Sequence, residues 1–391
     1  MERKRIYLDH AAATPVRDEV LSAMTPFWLD NFGNSNSLHL EGRRAHQAIE
    51  ESRQTLKDLL HAHPDDHLVW TSSATESNNL AIAGLMRAAR AADSSKNHLL
   101  LSSIEHDSAL QVGHHLQNEG FQVTFLAPNH LGQIEPENLR SAITPHTVLV
   151  SILHGHYQFG TLQNLRRLGE VCHQAHVFFH TDASQSFGHQ DINVVRDHVD
   201  LLTATAAKIY GPKGAALLYL SRAVEPLPQP LVFGGGQEMG LRSATLDTPL
   251  IVGFARAAAL SRAEAKEENA RLIVLRDHLI NRVLAEIPNS SLNGHPVLRL
   301  PNNAHFSLSG AEGESILLAL DTRGIAASTG SACSSRSLEP DHSLLALGLT
   351  PAAAHGSLRL TLGKSTTLED IDHTVDVLKE VVAELRKLSP L

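Results

Sequence analysis

Two residue types that carry much of protein chemistry are scarce here. Only two cysteines, Cys172 and Cys333, occur in 391 residues. So few thiols exclude a disulfide framework and point to a reducing, cytoplasmic setting. Basic charge is also short: 33 Lys and Arg against 42 Asp and Glu leave a net charge of −9, which argues against a nucleic-acid partner. No run of about 18 apolar residues exists, so no transmembrane helix and no membrane partner are expected. The charged start Met1-Glu2-Arg3-Lys4-Arg5 is followed by no apolar stretch of signal-peptide length. Histidine is plentiful, at 25, but neither a His-Glu-x-x-His pair nor a Cys-x-x-Cys pair occurs. The closest cluster, His173, His176 and His180, lacks the spacing of a zinc site, and no metal is expected.

What is present reads as an ordinary globular chain, 42% hydrophobic and 19% charged, long enough for two or three domains. Apolar spacing predicts helices over 21–27, 42–60 and 76–92. Short apolar runs at 68–70, 99–101, 123–125, 148–153, 177–179, 201–204 and 215–220 read as buried strands. Strands alternating with helical stretches predict an α/β architecture with a mostly parallel sheet. The pattern breaks into Pro- and Gly-rich sequence at 226–236, and a long helix is expected from 249 to 287. The division falls near residue 255. Residues 15–255 form a large domain. Residues 1–14 and 256–391 form a smaller α+β domain, with strands near 305–309 and 357–362 and a closing helix over 368–388.

Four places carry chemistry. Lys208 follows a strand and precedes Ile209-Tyr210-Gly211-Pro212-Lys213-Gly214, which puts it at the ligand-binding rim of an α/β sheet, or else makes it a solvated loop lysine. Asp182 also follows a strand. It suits pairing with a protonated ring nitrogen, with Gln185 one turn on, or simply the capping of a helix. The run Thr71-Ser72-Ser73-Ala74-Thr75-Glu76-Ser77-Asn78-Asn79 is a phosphate cup at a helix N-terminus, or a plain capping pattern. Cys333 stands in Gly330-Ser331-Ala332-Cys333-Ser334-Ser335, a setting for an accessible thiol, whereas Cys172 sits within a helical pattern and reads as inert.

Together these stretches are more specific than any one alone. The chain resembles the cysteine desulfurase family, in the class V aminotransferase group of fold-type I pyridoxal-phosphate enzymes. The resemblance runs nearly end to end. It begins with Tyr7-Leu8-Asp9-His10-Ala11-Ala12-Ala13-Thr14-Pro15, Phe32-Gly33-Asn34 and Ser37-Leu38-His39. It continues through 71–79, Glu105-His106, 181–185, 208–214, Arg242-Ser243-Ala244-Thr245 and 330–333. Ser337-Leu338-Glu339-Pro340 and Ala354-His355-Gly356-Ser357-Leu358-Arg359 complete it.

The resemblance implies that Lys208 holds pyridoxal 5'-phosphate covalently. His106 stacks on its ring and moves protons, while Asp182 and Gln185 hold the ring. Ala74, Thr75 and Thr205 surround the phosphate, with Thr245 reaching it from the partner subunit of a homodimer. Arg359, with Asn34 and Tyr157, meets the amino-acid substrate. Cys333 takes the sulfur as a persulfide for onward passage to an acceptor protein.

Three departures cluster at the implied site. Thr205-Ala206-Ala207 replaces the family's Ser-Gly-His, removing an imidazole from the phosphate. His156-Tyr157-Gln158 replaces Asn-Asn-Glu, and Gln237-Glu238-Met239 follows Gly234-Gly235-Gly236 where His and Arg are common. The expected reaction is L-cysteine to L-alanine. The alternatives are a pyridoxal-phosphate lyase or transaminase on another amino acid, and a weakly active desulfurase-like partner protein.

Overall fold

The computed structural model describes residues 5–329 and 340–388. The seven apolar runs all become strands of one sheet, in the spatial order His67–Thr71, Ala216–Leu220, Leu201–Thr205, Phe178–Asp182, Thr147–Ser151, His98–Ser102 and Gln122–Leu126. Pairing is parallel from Leu201–Thr205 through Gln122–Leu126, and Ala216–Leu220 runs antiparallel to both its neighbours. Most central strands are buried at every residue, as continuous Val/Leu runs covered on both faces must be.

Boundaries move by a few residues. The helix expected over 42–60 is Leu40–Leu59, with His39 Nδ1 accepting from the Gly42 N–H. The strand expected over 148–153 ends at Ser151. The helix after the hydroxyl-rich turn starts earlier than expected, at Ala74, capped by the Ser73 hydroxyl on the Glu76 N–H. It runs through a π turn at Leu80–Gly84 into Leu85–Ala92.

The long helix is a single element of 39 residues, Thr248–Glu286. Its first half packs Ile251, Phe254 and Ala257 into the core beneath the large sheet. Its second half packs Leu272, Leu279 and Val283 into a separate core, shared with Ile6, Leu8, Phe306 and Leu358. That second core backs a three-stranded sheet of Ser290–Leu292, Asn303–Leu308 and Ser357–Thr361, with the closing helix Leu368–Leu388 on it. A short parallel pair, Ile6–Tyr7 with Ile325–Ala326, ties the N-terminal segment to this unit. The chain therefore crosses from Ile6–Tyr7 over the ends of the large sheet and returns through one helix. Among the described residues, no helix is long and apolar enough to cross a membrane.

Candidate active site

Parallel strands point their C-terminal ends the same way, and ligands bind in the crevice outside those ends. Asp182 is the last residue of Phe178–Asp182. Lys208 ends a single 3₁₀ turn, Ala206–Lys208, that follows Leu201–Thr205 directly. Both border a cavity of about 280 Å³. Ala74, Thr75, His106, Tyr157, Gln185, Thr205 and Arg359 border it too, as does Ala207. Ten of the residues singled out by the sequence thus converge on one space from positions almost 300 apart.

The lysine turn is clamped by the N-terminal segment. The Thr14 hydroxyl donates to the Ala207 carbonyl at 3.1 Å and accepts from the Tyr210 N–H at 2.8 Å. Tyr210 takes a φ of +63° here, so the clamp holds a backbone that ordinary residues avoid. Lys208 Nζ donates to the Ala12 carbonyl, and Gln185 Nε2 donates to the Ala11 carbonyl at 3.0 Å. Asp182 is no helix cap: Oδ1 accepts from the Ser184 N–H at 2.8 Å and Oδ2 from Asn78 Nδ2 at 2.7 Å. Asn78 Nδ2 also donates to the Ser108 hydroxyl, which joins the helix of the hydroxyl-rich turn to that of His106. His106 caps Asp107–Asn118, its Nδ1 accepting from the Ser108 N–H at 3.1 Å.

Tyr157 is 7% exposed, with its ring edge-on to His106 at 5.2 Å. Burial pushes its hydroxyl's pKa well above the ordinary tyrosine value, so it stays protonated. His156 stacks on Phe159 at 3.6 Å and bonds the Ile104 carbonyl, facing away from the cavity. Gln158 Nε2 donates to Asp341 at 2.8 Å. Arg359 donates through Nη2 to Asp9 at 2.9 Å and through Nη1 to the Tyr157 carbonyl at 3.0 Å. The Glu105 carboxyl is fully buried and accepts the Leu153 N–H, and burial, followed by the nearby Asp182 charge, raises its pKa well above the carboxylate range.

The donor set fits a phosphorylated pyridine. Ser184 Oγ and Arg359 Nε are buried without a hydrogen-bond partner among the described residues, and both residues line the cavity. The N-terminal turn at Ala74–Thr75 adds unpaired backbone N–H groups and dipole. Asp182 supplies a carboxylate, and Lys208 a primary amine, at the wall of the cavity.

Two expected residues lie elsewhere. Asn34 is exposed, with its side chain accepting the Asn36 N–H, and does not border this cavity. Thr245 is also exposed and away from its own chain's cavity. Cys333 lies outside the described residues. Cys172 is buried, its thiol pKa pushed far up by desolvation, as an inert cysteine should be. Thr14, Asn78 and Asp9 carry supporting roles that residue type alone did not signal, although all three stand inside the motif stretches.

The class-V aminotransferase family matches residues 6–374. "Cysteine desulfurase IscS" of Methanosarcina thermophila is 43% identical over 390 residues, covering 100% of this chain and 95% of that one. A solved "NIFS-LIKE PROTEIN" superposes with a TM-score of 0.89 at 29% identity, over 97% of this chain and 100% of that one. A structure described as "SspA in complex with cysteine" gives 0.80 at 36% identity, over 91% and 98%. With the lysine, the carboxylate and the hydroxyl-rich helix start gathered at the sheet's C-terminal edge, these likenesses lead to one conclusion: the chain belongs to the class-V aminotransferases, pyridoxal-phosphate-dependent enzymes, and among them to the cysteine desulfurases.

Proposed function

We propose that the protein removes the sulfur of L-cysteine, releases L-alanine and holds the sulfur on Cys333. The observation that carries this reading is the convergence of Lys208, Asp182, His106, Thr75 and Arg359 on one cavity. Pyridoxal phosphate, when bound, supplies an electron sink that makes the bonds at the substrate's α-carbon labile. In this reading Lys208 holds the cofactor and, once released, moves the α-proton. Asp182, steadied by Asn78 and the Ser184 N–H, would pair with the cofactor's ring nitrogen. His106 and Gln185 would hold the ring, and Ala74, Thr75 and Thr205 would hold the phosphate. Arg359 receives the α-carboxylate with a planar fork already oriented by Asp9 and the Tyr157 carbonyl. The Cys333 thiolate attacks the substrate's γ-sulfur. The S–S bond forms, the Cβ–S bond breaks, and its electron pair returns to carbon, where a proton completes alanine.

Three finer parts belong to the same reading. The protein is a homodimer, supported by the exposed Leu38, Phe32 and Phe233 at 89%, 71% and 83% and by an exposed Thr245 with no site in its own chain. An acceptor protein collects the sulfur. The setting is the reducing cytoplasm, as a working thiol requires.

The test is incubation of the purified protein with L-cysteine, following alanine and persulfide together. Cys333→Ser should keep the visible cofactor band and lose alanine formation. Turnover of cysteine by that variant at the wild-type rate would remove Cys333 from the reaction and move the protein to the lyases or transaminases. The buried Tyr157 ring favours that second reading over inactivity, since it reshapes the wall where substrate sits.

A further inference from the structure

Lys208 stands between two spaces. One is the active-site cavity. The other is a small chamber of about 20 Å³ on the far side of the lysine, bordered by His10, His189, Tyr210, Glu268 and Asn269.

His10 is the informative residue there. It is 3% exposed, and neither ring nitrogen has a hydrogen-bond partner among the described residues. The ring cannot turn away to find one. It packs edge-on to Tyr7 at 5.0 Å, and a Cβ on Gly363 would stand only 2.2 Å from its Cε1. Burial lowers its pKa to about 4, leaving a neutral imidazole with one donor and one acceptor. Across the chamber, Asn269 Oδ1 is likewise buried without a partner among the described residues. The nearby charges are already paired: Glu268 with Arg271, and Glu264 with Arg17 and Lys364.

A polar space needs roughly 10–15 Å³ and two to four polar partners to hold a water. The chamber meets both conditions. We propose that it binds one ordered water bridging His10 to the Lys208 amine, and that His10 is thereby a positioning residue for the lysine's proton transfers. The water accepts a hydrogen bond from the amine and donates one to the neutral ring. That turns the amine's lone pair toward the active-site cavity. A neutral histidine suits the task, because a protonated one has no acceptor to offer.

The inference rests on the role of Lys208 proposed above, and its test isolates the lysine from Cys333. The measurement is exchange of the α-hydrogen of L-alanine in D₂O by the cofactor-loaded enzyme. His10→Leu keeps the bulk and removes both nitrogens. It should lower kcat for exchange by about tenfold or more, with KM and the visible cofactor band unchanged. His10→Asn, which keeps an acceptor, should recover most of the rate. Exchange at the wild-type rate in His10→Leu would overturn the proposal. So would a loss that His10→Asn fails to recover, since that marks a merely structural ring. A wild type without band or exchange would instead overturn the reading of Lys208 itself.

Discussion

Ala207 shows how one side chain sets a cofactor's hold. In the family it resembles, a histidine at this place donates to the phosphate. Thr205 is the nearest substitute, but its hydroxyl already donates to the Ala215 carbonyl at 3.3 Å and accepts from the Ala207 N–H at 3.5 Å. Its proton is committed to the backbone, so the missing imidazole goes uncompensated. A charge-assisted hydrogen bond contributes about 1.5–3 kcal/mol. Ala207→His should therefore tighten pyridoxal phosphate binding by roughly ten- to hundredfold, read by titrating the visible band. An unchanged affinity would show that the donors at Ala74, Thr75 and Ser184 saturate the phosphate. Tyr157 is the companion case. The sequence marked it as a change at the substrate wall, and the structure adds that it is buried with its ring edge-on to His106 at 5.2 Å.

Among elements, the strand Leu201–Thr205 positions the lysine turn, and Asp200 sets its register. The Asp200 carboxylate accepts the Phe179 N–H at 2.9 Å, its own N–H donates to the Phe179 carbonyl, and its carbonyl accepts the Ser221 N–H at 2.7 Å. Three adjacent strands are pinned at one residue. Desolvation pushes this carboxyl's pKa up to about 6, against 3.8 for an ordinary aspartate. Between those values the folded state keeps a proton that the unfolded chain has lost. Stability from this group must then fall as pH rises from about 4 to 6 and stay low above. Asp200→Asn keeps an acceptor for Phe179 without the charge. It should raise the thermal midpoint at pH 7.5 and change it little at pH 4. Equal effects at both pH values would contradict the assignment.

Taken whole, the molecule leaves apolar residues on its surface that a lone chain has no reason to expose, Leu38, Phe32 and Phe233 among them. Thr245 has its proposed role only if a second subunit brings it to a cavity. Light scattering should give twice the 42.4 kDa of one chain. Thr245→Ala should then weaken cofactor retention without dissociating the dimer. A stable monomer with full cofactor occupancy would contradict both.

The sequence by itself determined the strands, the sheet class, the place of Lys208 at a strand end and the family. Each rests on local pattern: period, turn chemistry, and residue types at short fixed spacings. Only the tertiary structure decided that His10 faces a chamber behind Lys208, that Thr14 clamps the lysine turn, and that Asn78 steadies Asp182. These contacts join residues about 100 to 200 positions apart. No local spacing encodes such pairs, because sheet order and the single long helix choose which distant segments meet. Asn34 and Thr245 mark the same boundary from the other side: their motifs were plain in the chain, but one chain's fold leaves them on its surface.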